Sequence, residues 1–248
     1  MRFDIITLFP ELFAPMLEVG VTRRAFASGL VHVRLWQLRD FAEGQYRRVD
    51  DRPFGGGPGM VMLAQPLWQC LHAIREDRAE PAERQAPVVL FSPAGVPLTH
   101  GEVQRWAAAD SVGAILVCGR YEGVDQRFID TCVNAQISLG DFVLSGGEIP
   151  AMALLDAVAR LQPGVLQDAD SHAQDSFNPA VGGLLDCPHY TRPEVWQGQR
   201  VPDVLLSGNH AAIAQWRHAQ SLHITRQNRP DLLEQFAAMP PAGQKKSR

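Results

Sequence analysis

Short apolar runs alternate with helical stretches through the first two-thirds of the chain, and this alternation narrows the possible folds more than any other feature. Runs at Phe3–Leu8, Val31–Leu38, Val88–Phe91, Ala114–Cys118 and Ala135–Leu139 have strand length. Helical patterns fill the gaps at Pro10–Glu18, Gln65–Arg75, Thr99–Ala108 and Val124–Thr131. Strands buried on both faces read as apolar runs and reach a parallel neighbour only by a crossover, so the pattern predicts an α/β fold on a mostly parallel sheet. Thr99, with Glu102 three residues on, suits a capping box. The charged, Pro-containing segment Asp77–Ala86 reads as a surface loop. Glu148–Leu161, rich in Ala and Leu, predicts a longer helix ended by Pro163-Gly164.

The pattern then changes. Gln167–Val181 is polar with little periodicity, as in a mobile lid or linker. From Arg192 onward the pattern reads as helical; Ile213, Trp216, Gln220 and Leu222 recur near helical spacing with Arg217 and His218 turned outward. Pro230 opens a last helix over Asp231–Ala238, and the GQKKSR tail is expected to be disordered. The reading is an α/β domain over 1–161, a flexible linker over 162–181 and a smaller helical domain over 182–248. A chain of 248 residues accommodates that division.

Composition removes several classes. No apolar run approaches the ~18 residues of a membrane span, and MRFDIITLFP lacks the form of a signal peptide, so a soluble cytoplasmic protein without a membrane partner is expected. Cys70, Cys118, Cys132 and Cys187 form no CxxC pair, which suits reduced thiols better than a disulfide framework or a zinc site. With a net charge of −4, the overall field does not announce a nucleic-acid binder. Residues 1–160 carry 15 basic and 19 acidic side chains, whereas 161–248 carry 8 of each and five of the eight histidines. Any contact with nucleic acid therefore depends on local arginine clusters.

Three loops follow candidate strands and have sharp-turn compositions: Ser92–Gly95 (SPAG), Cys118–Gly123 (CGRYEG) and Leu139–Pro150 (LGDFVLSGGEIP). Ligands of open α/β sheets bind outside the carboxyl ends of strands, where glycines bring main-chain N–H and C=O groups close to them. Neither GxGxxG after the first strand nor GxxxxGK[ST] occurs, which disfavours a dinucleotide dehydrogenase and a P-loop NTPase. GGGPGM (Gly55–Met60) lacks the lysine of a phosphate loop, but follows Arg47, Arg48 and Arg52, a mixture suited to gripping a phosphate backbone. Cys187 and His189 lie two apart without a second pair; a structural role, or RNA contact through His189, Tyr190 and Arg192, suits them better than zinc.

The strings DRPFGGGPGM, CGRYEGVDQR, LGDFVLSGGEIPAMALLDAVAR, DSFNPAVGGLLDCPHYTRPEVW and VLLSGNHAAIAQWR, in this order and spacing, resemble the bacterial tRNA guanine-N1 methyltransferases across roughly residues 1–240. The resemblance implies a knotted sheet of the SPOUT class, in which a deep trefoil knot around the second and third loops holds bent S-adenosylmethionine, and a homodimer with each active site at the subunit interface. It assigns cofactor contacts to Ser92, Pro93, Gly95, Gly119, Tyr121, Glu122, Leu139, Gly140, Leu144, Gly146, Gly147 and Pro150. It implies tRNA as partner, with Arg47, Arg48, Arg52, His189, Arg192 and Arg217 as RNA-contacting candidates, and Glu122 as a candidate ligand for an assisting Mg²⁺.

The catalytic pair carried by the resemblance is Arg160, ending DAVAR, and Asp175, in QDSF. Guanine N1 is protonated at neutral pH and must lose that proton to attack; a carboxylate in reach serves as base, and a guanidinium stabilises charge building on O6. Read without the resemblance, Asp175 is a cap on a short turn and Arg160 an ordinary basic residue near a helix end. The chain departs from the family pattern at Phe142 (usually Tyr), at Gln174 (usually Glu), in the added NPAV and in a less basic AIAQWRHAQSLHITRQ helix. Competing readings are a knotted ribose 2′-O-methyltransferase and a non-catalytic RNA-binding module.

Overall fold

The structure is a computed structural model that describes residues 1–166 and 172–238. Part of the expected linker and the GQKKSR tail lie outside the described residues. The chain divides into two compact units, Met1–Gln167 and Asp168–Arg248.

In chain order the first unit contains β1 (Arg2–Thr7), a 3-10 turn (Pro10–Leu12), α1 (Ala14–Glu18), α2 (Arg23–Ala27) and β2 (His32–Gln37). After a 3-10 turn at Leu38–Phe41 come the two-residue strands β3 (Asp50–Asp51) and β4 (Val61–Met62), α3 (Ala64–Asp77) and α4 (Pro81–Arg84). The remainder runs β5 (Val88–Pro97), α5 (His100–Ala107), β6 (Gly113–Val117), α6 (Gln126–Cys132), β7 (Ala135–Ser138) and α7 (Glu148–Arg160). The five long strands form one sheet in the order β2-β1-β6-β5-β7 with every pair parallel. β6 is buried throughout and β1 after its first residue, which is why β6 reads as an apolar run and β1 as one interrupted by Asp4 and Thr7.

Alternate side chains of these strands face two cores. Phe3, Ile5, Val89 and Leu116 pack with Phe13, Ala25, Val103, Leu154 and Leu155 on one side; Ile6, Val88, Ile115 and Val117 pack with Leu67, Leu71, Ile74 and Phe128 on the other. Helices therefore cover both faces. Helix α7 buries Ala151, Leu154, Leu155, Val158 and Ala159 in its own unit, so its apolar stripe belongs to the core of one chain.

Several local readings need correction. Pro10–Glu18 is two pieces broken at Phe13, because Pro15 has no N–H to continue a helix from the preceding turn. α2 carries no periodic signal strong enough to read. α6 starts at Gln126, with Asp125 accepting from the Arg127 N–H as its cap. The segment Asp77–Ala86 is not a surface loop: α3 extends through Asp77, α4 follows, and Arg78 is fully buried. Thr99 Oγ1 accepts from the Glu102 N–H at 3.3 Å, while the Glu102 carboxylate pairs with Arg105.

The second unit contains a 3-10 turn (Pro179–Val181), the ribbon β8 (Val195–Trp196) and β9 (Gln199–Arg200), α8 (Asp203–Leu206), α9 (His210–Asn228) and α10 (Pro230–Ala238). Regular helix thus begins at Asp203, because Pro193 and the Gln197-Gly198 turn, with both residues at positive φ, favour a tight ribbon over Val195–Arg200. The added NPAV is capped by the buried Asn178, which accepts from the Ala180 N–H. Thr225 anchors α9 by accepting from Leu185 N–H at 3.0 Å and donating to Ser221 O at 2.7 Å. No helix among the described residues is long and apolar enough to cross a membrane.

Candidate active site

The three strands whose loops have sharp-turn compositions, β6, β5 and β7, are neighbours in the sheet, so the loops meet at its carboxyl end. They enclose a cavity of about 420 Å³. Ser92, Pro93, Gly119, Tyr121, Glu122, Leu139, Leu144, Gly146, Gly147 and Pro150 line it, with Ala94, Arg120, Ile137 and Phe142 among their neighbours.

Gly95 and Gly140 do not line this cavity. β5 continues through the SPAG segment with a register shift between Phe91 and Val96, and Gly95 lies flat against β7. A Cβ there would stand 2.4 Å from Ile137 N, so its glycine is required by the close approach of two main chains. Gly140 sits behind the wall, exchanging hydrogen bonds with the Ser138 hydroxyl at 3.1 and 3.0 Å.

The second and third loops are joined through their backbones. Gly147 N–H donates to Gly119 O at 2.9 Å, and Arg120 bridges to Gly146. A Cβ on Gly147 would lie 2.7 Å from Cys118 Cα, which explains why α7 starts from a glycine. Burial, with Glu148 adding to it, pushes the Cys118 thiol well above its usual range, so this cysteine is not a ready nucleophile.

Sequence reasoning missed two charged groups here. Glu148, the first residue of α7, is 1% exposed; its Oε1 accepts from Thr7 Oγ1 at 2.8 Å, and its Oε2 lies 2.9 Å from Arg120 Nε. That approach is off the N–H direction, leaving both Nε and Oε2 without a hydrogen bond. Arg120 also donates to Ser145 O at 3.2 Å, stands over the Phe9 ring and lines the cavity. Both residues lay inside quoted motifs; a charge at the first helical position beside a tight glycine pair was the available signal.

The arginine segment packs on the second loop. Glu122 N–H donates to Met60 O at 2.9 Å and Met62 N–H to Gly123 O at 2.9 Å. Burial raises the Tyr121 phenol, with Asp50 acting in the same direction and Arg39 against it. Arg47, Arg48 and Arg52 are exposed, Arg47 pairing with Asp40 at 2.8 Å, and two aromatics unremarked in the sequence, Tyr46 and Phe54, stand out among them.

In the second unit, His189, Arg192 and Arg217 line one cavity of about 500 Å³ with Tyr190, whose ring lies 6.2 Å from that of Trp216. Asp186 joins Cys187 and His189 in a group of possible metal ligands, but its carboxylate already accepts from Cys187 N–H and meets His189 Nε2 at 2.9 Å. Arg160 closes α7 in the first unit, and Asp175 occupies a half-buried turn of the second, where its carbonyl accepts from Asn178 N–H. Glu122 belongs to no group of three His, Cys, Asp or Glu ligands among the described residues.

Over residues 1–235 the sequence matches the family described as tRNA (guanine-1)-methyltransferase TrmD. The chain belongs to this family. It is 70% identical to a protein of Paracidovorax citrulli over 94% of this chain and 91% of that one. It is likewise 70% identical to one of Albidiferax ferrireducens (95% and 92% covered), and 57% identical to one of Thiobacillus denitrificans (94% and 97%). All three relatives are named tRNA (guanine-N(1)-)-methyltransferase. Membership of the tRNA (guanine-1)-methyltransferase family explains why three strand-end loops close on one another without a dinucleotide or P-loop motif.

Proposed function

We propose that this protein is a cytoplasmic enzyme that methylates N1 of the guanosine immediately 3′ of the anticodon in tRNA, using S-adenosylmethionine. The observation that carries the reading is the convergence of three neighbouring strand-end loops on one cavity, within a chain of this family. The cavity suits a nucleoside: Ile137, Leu139, Leu144 and Pro150 offer apolar surface, while Ser92 and the glycine-bearing main chains offer polar groups. Ser92, Pro93, Gly119, Tyr121, Glu122, Leu139, Leu144, Gly146, Gly147 and Pro150 would hold the donor, with Gly95 and Gly140 shaping the wall from behind. When bound, the donor supplies a methyl group on a sulfonium, so departure of the sulfur needs no acid.

Asp175 takes the N1 proton as general base, and Arg160 stabilises the charge that builds on O6. Arg47, Arg48 and Arg52, with Tyr46 and Phe54 as stacking surfaces, would grip the RNA near the cavity, and the His189, Arg192 and Arg217 cavity a second stretch. The reading includes the trefoil knot at the junction of the second and third loops. It also includes a homodimer, supported by apolar side chains left exposed near the cavity, Val143 (81%) and Ile149 (52%). Mass spectrometry of product tRNA tests the reaction: a methyl on guanine N1 supports it, and a methyl on ribose, or none, overturns it.

A further inference from the structure

Two sources of positive potential face the cavity. One is the Arg120 guanidinium, whose side chain is 18% exposed; the other is the amino end of α7, a thirteen-residue helix starting at Glu148. Among the described residues, Glu122 is the other charged residue of the lining, but it is exposed, and water screens an exposed carboxylate strongly. Glu148 is different. Its carboxylate is buried directly behind Arg120, fixed by the Thr7 hydroxyl, and faces Nε at 2.9 Å without the alignment of a hydrogen bond. What it exerts on Arg120 is therefore charge more than direction. At the end of β6, burial first and Glu148 next push the Cys118 thiol up, with Arg120 acting against them.

The donor and the product of methyl transfer differ at one atom, a cationic sulfonium becoming a neutral thioether. An uncompensated guanidinium beside the cavity would oppose the first and leave the second untouched. We infer that Glu148 is a specificity-determining residue, whose buried carboxylate cancels the charge of Arg120 and of the α7 amino end and so sets the preference of the cavity for the sulfonium donor over its thioether product. The inference rests on the reading of this cavity as the donor site. It gives Glu148 no contact with the ligand; it acts through Arg120 and through the potential.

The test is calorimetric titration of the full-length protein with S-adenosylmethionine and with S-adenosylhomocysteine, reading the ratio of the two dissociation constants. In Glu148→Gln, an isostere that still accepts from Thr7, the preference for the sulfonium should fall on the order of tenfold, the scale of one unit charge several ångströms away in a partly screened site. Arg120→Gln should move the ratio in the opposite direction, and the double variant should return toward wild type. A packing defect weakens both ligands together, so equal losses for the two in Glu148→Gln overturn the inference. If Glu148→Gln does not fold, Arg120→Gln decides, and an unchanged ratio there overturns it as well. Wild-type protein that binds neither ligand removes the donor reading and this inference with it, whereas wild-type binding with unmoved ratios removes the inference alone.

Discussion

Two arginines lie deep in the first unit beside a carboxylate, at opposite ends of the same pair of strands. Near the amino ends of β1 and β6, Arg78 and Asp4 are both fully buried and 2.8 Å apart. The remaining Arg78 nitrogens donate to Glu83 O, Val112 O, Arg2 O and Ala114 O at 2.9–3.4 Å, and Asp4 also accepts from Arg2 and from Trp36 Nε1. At the carboxyl ends, Arg120 and Glu148 are equally close but misaligned, and Arg120 faces a cavity. The first pair is finished by the protein itself; the second is left partly unsatisfied where it faces the cavity. A closed pair holds the sheet together, and an open one has potential left to offer.

That comparison is broken most forcefully at its closed end. Arg78→Ala should cost about 3 kcal/mol of stability, the lower end of the range for stripping a partner from a buried ion pair, because Arg2 and Trp36 still hold Asp4. Chemical denaturation measures this loss, and protein that remains folded should bind the donor normally. At the open end, Gly147→Ala forces a Cβ against Cys118 Cα and should cost about 1–3 kcal/mol, with donor binding weakened as the loop shifts. Comparable stability with intact binding in that variant would show that the loop junction does not shape the cavity.

Glu148→Gln should cost only about 1 kcal/mol in the same denaturation experiment, because Thr7 still donates to the amide oxygen and Arg120 keeps Ser145 O. A loss as large as that of Arg78→Ala would erase the distinction between the two pairs. The smallest effect lies on the rim of the closed end. There the hydrogen bond from Arg2, helped by the charge of Arg34, holds Asp77 below the usual carboxylate range. A depressed folded-state value means that its contribution is present at neutral pH and is lost as the pH falls through that value. Asp77→Asn should therefore cost about 0.5 kcal/mol or less at pH 7, and its stability should merge with that of wild type only once the pH has fallen below that depressed value.

The two ends were not equally legible in the sequence. The sheet announced itself because buried strands read as mostly apolar runs: Phe3–Leu8 corresponds to Arg2–Thr7, and Ala114–Cys118 to Gly113–Val117. The loops were legible from glycines after strands, though Gly95 turned out to serve strand packing. Arg78 was invisible, since most of its partners (the Asp4 carboxylate and the carbonyls of Arg2, Val112 and Ala114) are distant in sequence and nothing local marks a buried charge. Glu148 and Arg120 were hidden in the same way, 28 residues apart yet one pair. The Val195–Arg200 ribbon was overridden by helical composition around it. Arg160 and Asp175 could be singled out only through resemblance, because read locally the one is a basic residue at a helix end and the other a turn residue.

The central claim is that Asp175 removes the N1 proton. Single-turnover methyl transfer to tRNA, measured for wild type and Asp175→Asn between about pH 6 and 9, tests it most directly. The amide keeps the shape but cannot take the proton, so the chemical step should slow at least ~10²-fold and recover toward high pH, where N1 loses its proton to solvent, while donor binding stays intact. An Asp175→Asn rate equal to wild type across that range would contradict the account.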